Sequence, residues 1–149
     1  MDQIDRKRLV IPSLAPLYDF VTPLTWPLIR CSAGLILAWH GWGKISNPVP
    51  QYEAFEKVGY KPGWLIVWTL ILIEFFGGLF IAAGFMTRFW AAAAAIEMAE
   101  LTFRYYLPNG FGWTRQGFEY TLLWGLVLFA IALRGGGPYS IDSKLSKEL

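Results

Sequence analysis

The sequence is poor in the residues that usually carry redox and metal chemistry. It has one cysteine, Cys31, and one histidine, His40. A lone cysteine excludes an intrachain disulfide, a cysteine-ligated iron–sulfur cluster and a cysteine-rich zinc site. A lone histidine excludes bis-histidine haem within one chain and leaves only a pairing of His40 with a methionine. No GxGxxG, Walker or HExxH pattern occurs, so no metal site is expected and no covalent cofactor. Charge is scarce too: 16% of residues are charged and the net charge is +2, against about 25% charged residues in soluble domains. So small and scattered a charge excludes nucleic acid as a partner. Any electrons must travel on a diffusible quinone or a partner subunit.

What is abundant is apolar. Hydrophobic residues make up 55% and aromatics 17% of the chain, with mean hydropathy +0.40. A single soluble domain of 149 residues has too much surface for its volume to hide that composition. Lipid can cover it. The sequence therefore predicts an all-α fold, an integral membrane four-helix bundle, with spans at about 24–44, 64–84, 88–106 and 118–134. A helix of about 20 residues crosses a hydrocarbon core of roughly 30 Å, and 64–84 meets this with Glu74 as its one charge. The bundle occupies residues 24–145, between an arm at 1–23 and a tail at 146–149. The arm holds Arg6, Lys7 and Arg8, then Pro12, Pro16 and Pro23; its apolar run is too short and broken for a signal peptide. With the N-terminus inside, Arg6, Lys7, Arg8, Arg88, Arg134, Lys144 and Lys147 face Lys44, Lys57, Lys61, Arg104 and Arg115 across the membrane. That bias places both termini in the cytoplasm. Trp39, Trp42, Tyr105, Tyr106 and Trp113 at one edge, and Trp26, Phe89 and Trp90 at the other, read as interface belts.

The spans carry ionisable groups. At about 1.5 Å of rise per residue, Arg30 lies roughly 9 Å from the inner boundary, Glu97 roughly 14 Å, Glu74 roughly 15 Å, and His40 and Arg104 roughly 24 Å. Glu74, Glu97, Glu100 and Glu119 balance Arg30, Lys44, Arg104 and His40 closely. A charge at mid-membrane costs about 2.5–3.5 kcal/mol on insertion scales, so such groups turn inward and pair. Glu97, Glu100 and Arg104 fall within about 60° of one another on a helical wheel. Arg30, Gly34, Leu37, Gly41 and Lys44 form one stripe whose glycines admit a neighbouring helix. Glu74 and Glu97 are expected to compete for Arg30, leaving one of them able to donate a proton. His40 is either a proton relay and quinone-carbonyl donor or an interfacial residue beside Trp39 and Trp42. Glu100, Arg104 and Glu119 read as structural ion pairs. Two uses of the cluster remain open: an ion-pair network that fixes helix register, or a polar pocket and proton path.

Arg30-x3-Gly34, His40-Gly41-x2-Lys44, Glu74-x2-Gly77-Gly78, Gly84-x2-Thr87-Arg88, Glu119-Tyr120 and Gly137-x2-Ser140-Ile141-Asp142 occur in that order. This ordered set resembles the DoxX family of small four-helix bacterial membrane proteins, related to the DoxD subunit of thiosulfate:quinone oxidoreductase. The resemblance implies a multi-pass component of the bacterial inner membrane, linked to oxidoreductase or respiratory-type complexes, with quinone as mobile cofactor. On that reading Glu74, Glu97 and His40 handle protons, and Arg30, His40, Lys44 and Glu74 hold the quinone. Any enzyme activity would then be that of a quinone-dependent oxidoreductase component needing a partner. Membrane lipid and other membrane subunits, or further copies of the chain, are the expected partners. The alternatives are a non-catalytic accessory subunit packing against a larger complex, and a small proton or solute transporter.

Overall fold

The computed structural model describes residues 9–145, so Arg6, Lys7, Arg8 and the tail 146–149 lie outside the described residues. Every regular element among them is helical. Helix α1 spans Ala15–Ser46 and α2 spans Val49–Lys57. A continuous helical run follows: α3 (Gly63–Ile71), a π-helical turn at Leu72–Gly77, and α4 (Gly78–Ala83). Helix α5 (Thr87–Glu100) continues into a second π-helical turn at Leu101–Tyr106, and α6 spans Glu119–Arg134. Two of these runs, Pro12–Ser46 and Gly63–Ala83, are long and apolar enough to cross a membrane.

Helix α1 starts nine residues before the expected boundary at Leu24, so residues 15–23 of the proline-containing arm are helix. Pro16 sits in the first turn, where no intrahelical N–H bond is lost. Pro23 and Pro27 each remove one bond from the interior. Between them the Thr25 hydroxyl donates to the Thr22 carbonyl (2.7 Å), a bond within the same helix. Between the expected spans 24–44 and 64–84, α2 forms as a surface helix with no buried residue. It is tied to α3 by the Gly63 N–H, which donates to Glu56 Oε1 at 2.8 Å.

Packing follows the small residues. Helix α1 lies along α4 and the first π turn, and α5 lies along α6, whereas α1 and α6 barely touch. A Cβ on Gly34 would stand 2.5 Å from the Gly78 carbonyl oxygen, and one on Gly78 would stand 2.6 Å from the Gly34 carbonyl oxygen. The two backbones therefore meet directly, as close helix crossings in apolar surroundings require. Leu37, Ile81, Ala91, Ala94, Leu128 and Ile131 fill the interior. The outer faces carry many large apolar side chains: Leu65, Trp68, Phe76, Ile96, Leu123 and Phe129 are all exposed. A surface of that kind calls for hydrocarbon rather than water.

After α6 the chain reverses through Gly135 and Gly137, both at positive φ, and a 3-10 turn at Asp142–Lys144 docks against the α4–α5 junction. There the Ile141 N–H donates to the Ala83 carbonyl and the Asp142 N–H to the Gly84 carbonyl (2.8 Å).

Candidate functional site

The first π turn carries Glu74, and its wider winding aims the side chain across the interface with α1. Single π turns inside α-helices often mark functional positions. Glu74 is 4% exposed, and the Lys44 ammonium donates to its Oε2 at 2.5 Å. Both residues line a cavity of about 210 Å³ together with His40, Tyr106, Tyr120 and Thr121. Behind it lies Glu97, 7% exposed, on α5. Neither of its carboxyl oxygens meets a donor; Glu74 is near enough to share a hydrogen bond with it when one of the two carboxyls carries a proton, and Lys44 is the cation that acts on it. Glu97 also lines a second cavity of about 310 Å³ with Tyr60, Thr69 and Glu100. The buried cluster therefore holds two carboxyls and one ammonium, and an extra proton would balance it.

Arg30 takes no part in this cluster, contrary to the expected competition between Glu74 and Glu97. Its Nη1 donates to the carbonyls of Ile81 and Ala82 (both 2.8 Å), and its Nη2 donates to the Tyr139 carbonyl (3.0 Å). The reason is positional. Arg30 reaches the open C-terminal end of α4, where unpaired carbonyls and the negative end of the helix dipole attract a guanidinium. The carboxylates lie two or more turns away, nearer Lys44. Trp26, expected at an interface belt, is likewise buried here, its Nε1 donating to the Gly135 carbonyl (3.1 Å) while Arg134 stacks on its ring at 4.3 Å.

Glu100 and Arg104 do pair, at 3.0 Å, but both side chains are largely exposed. They do not share Glu97's buried face. A spread of about 60° puts Glu100 on the rim when Glu97 points inward, and the π turn at Leu101–Tyr106 re-aims Arg104 further. Glu100 also accepts the Tyr60 hydroxyl at 2.9 Å, and Arg104 sits over the Tyr60 ring. Glu119 forms no ion pair among the described residues. Its Oε2 instead accepts the Trp113 N–H at 3.2 Å and fastens the loop ahead of α6. The sequence reading missed Tyr120 and Thr121 as cavity residues, although Tyr120 adjoins Glu119 in a marked motif. Tyr106 was assigned to a belt.

The remaining marked residues build a latch. Asp142 accepts the N–H groups of Met86 (2.8 Å) and Thr87 (3.0 Å) and the Thr87 hydroxyl (2.6 Å). Arg88 donates to the carbonyls of Ala132, Leu133 and Arg134 at the end of α6.

Residues 25–106 match the DoxX family. The chain is 36% identical over 110 residues to the inner membrane protein YqjF of Escherichia coli (strain K12), covering 72% of this chain and 82% of that one. No solved structure matches it. The matched segment carries α1, the first π turn and α5, hence Lys44, Glu74 and Glu97, and the chain belongs to the DoxX family.

Proposed function

We propose that the chain is a multi-pass subunit of the bacterial inner membrane, crossing it with four helical runs as a bundle, and that its Lys44–Glu74 cavity binds a quinone headgroup beside a proton-handling carboxyl pair. The inner-membrane name of the relative and the apolar exterior support the placement. The observation that carries the site is the buried Lys44–Glu74 pair lining a cavity, with a second buried carboxyl, Glu97, that meets no donor and lies against Glu74.

The residues present fit such a headgroup. A cavity of about 210 Å³ exceeds the roughly 150 Å³ that holds a benzene ring in an engineered protein core. Lys44 has three N–H donors and gives one to Glu74, so two can face the cavity. His40, Tyr106 and Tyr120 line the same space and can serve a ring oxygen. A quinone supplies two-electron, two-proton chemistry. The chain itself supplies donors that orient the ring, apolar walls that exclude water, and Glu74 and Glu97 as places to hold a proton. With one cysteine and one histidine, electrons must come from a partner or directly from a donor, so the subunit acts within a larger oxidoreductase system.

The test is titration of the purified protein with ubiquinone analogues. Saturable binding, weakened by His40→Phe and altered in pH dependence by Glu74→Gln, is the expected result. Absence of saturable binding to folded protein would remove the quinone from the proposal.

A further inference from the structure

The cavity that holds Lys44 and Glu74 does not end at its polar wall. Helices α1 and α6 barely touch, and the gap between them forms an apolar groove of about 360 Å³ floored by Ser32, Ala33 and Val127. Ile36 and Trp124 line both this groove and the Lys44–Glu74 cavity, so the two spaces adjoin across these two side chains. From Ile36 to Leu28, the groove follows α1 for eight residues, about 12 Å of helix. The combined shape is that of an amphiphile: hydrogen-bonding groups at one end, a narrow apolar slot at the other.

A second, larger groove of about 550 Å³ lies between α5 and α6 and meets the cavity only at Thr121. That junction is filled. The Thr121 hydroxyl is hydrogen-bonded to the buried Thr102 hydroxyl at 2.8 Å, and Thr102 also donates to the Met98 carbonyl. A chain leaving the cavity on this side would have to part these two packed hydroxyls, each of which also reaches a backbone carbonyl, Met98 for Thr102 and Phe118 for Thr121. On the α1–α6 side the side chains between the two spaces are the apolar Ile36 and the ring of Trp124.

We infer that the α1–α6 groove is a tail-binding subsite, which seats the first segment of the apolar chain of a quinone whose ring occupies the Lys44–Glu74 cavity. This rests on the headgroup reading above and adds to it a direction of entry and a chain-length preference. The ligand enters sideways from the membrane, between α1 and α6. Tail carbons beyond the groove's length of about 12 Å leave the protein and add nothing further.

The experiment compares a tailless ubiquinone ring with decylubiquinone, using the full chain in detergent and three sequences. The wild type should bind the decyl compound more tightly than the tailless ring. Ser32→Phe, at an exposed position on the groove floor, should weaken decylubiquinone about tenfold, the lower end of what a misfit in an apolar pocket costs, and leave the tailless ring unchanged. Ala99→Phe, which fills the α5–α6 groove, should change neither. A tail that adds no affinity in the wild type overturns the inference while leaving the headgroup reading intact, and that comparison does not depend on any variant folding. Weakening by Ala99→Phe but not by Ser32→Phe puts the tail in the other groove and also overturns it. If neither compound binds, the headgroup reading fails together with it.

Discussion

Asp142 caps a helix that begins fifty-five residues earlier in the chain: its Oδ2 accepts both the N–H and the hydroxyl of Thr87 in the first turn of α5. Helix α5 has no side-chain cap of its own, since Met86 precedes it in a left-handed conformation. At the same end of the molecule, Arg30 closes the carbonyl end of α4 and Arg88 closes that of α6. A carboxylate at a helix N-terminus and guanidiniums at two C-termini each meet the favourable end of the dipole. The three together hold three helix ends, one by its N–H groups and two by their carbonyls.

Replacing Asp142 should therefore loosen the whole of that end. Asp142→Ala leaves the Met86 and Thr87 N–H groups without partners, at a cost of about 1–3 kcal/mol. Unfolding in detergent, followed by circular dichroism, measures it. Asp142→Asn keeps an acceptor and should lose less. If the two variants are equally stable, the cap is not the reason Asp142 is needed.

Much of the architecture was legible because hydrophobic length is a strong signal. The helical runs at Gly63–Ala83 and Glu119–Arg134 start and stop within a residue or so of the expected limits, and Gly84 ends the first in a left-handed conformation. Inward orientation of Glu74 and Glu97 was also legible, from the cost of placing carboxylates against hydrocarbon. Partner choice was not. Arg30 lay on the same stripe as Lys44, but depth along the helix decides which finds a carboxylate and which finds open carbonyls. The two π turns escaped because the spans are apolar on nearly every face, so the change of phase that one extra residue introduces has no polar stripe to displace. The amphipathic α2 escaped because it buries nothing.

Lys44 should be the least replaceable of the cluster. Lys44→Met leaves Glu74 and Glu97 buried with no cation between them. Removing one partner of a buried pair typically costs about 3–5 kcal/mol. Adding Glu74→Leu should recover much of that loss, because one buried carboxyl, Glu97, is then left without a cation instead of two. The double-mutant cycle in detergent gives the coupling directly. Additive losses would mean that the 2.5 Å contact contributes nothing.

Glycines on α1 should differ sharply. A Cβ on Gly34 would meet the backbone of Gly78 and Ala82 at 2.5 Å, whereas one on Gly43 meets nothing within 4 Å. Gly34→Leu should force α1 from α4 and cost about 3 kcal/mol or more, as overpacking against backbone does. Gly43→Ala should be neutral or stabilising by about 0.5–1 kcal/mol, the helix-propensity gain over glycine. Equal effects at the two positions would deny the direct backbone contact.

Tyr60, in the connection between α2 and α3, offers a titration. Burial, and then its hydrogen bond to the Glu100 carboxylate, hold the phenol above the ordinary tyrosine value near 10, while the Arg104 charge opposes them. The neutral phenol is the form the fold favours. Whatever stability it lends is therefore complete below pH 10 and lost as pH rises through the higher folded value. The tyrosinate absorbance that disappears in Tyr60→Phe should have its midpoint above 10. Glu100→Gln removes the negative charge and should lower that midpoint, while Arg104→Gln removes the opposing cation and should raise it. A midpoint indifferent to both substitutions would show that Glu100 and Arg104 do not hold Tyr60 in solution, and that the outer rim of the Glu97 cavity is open.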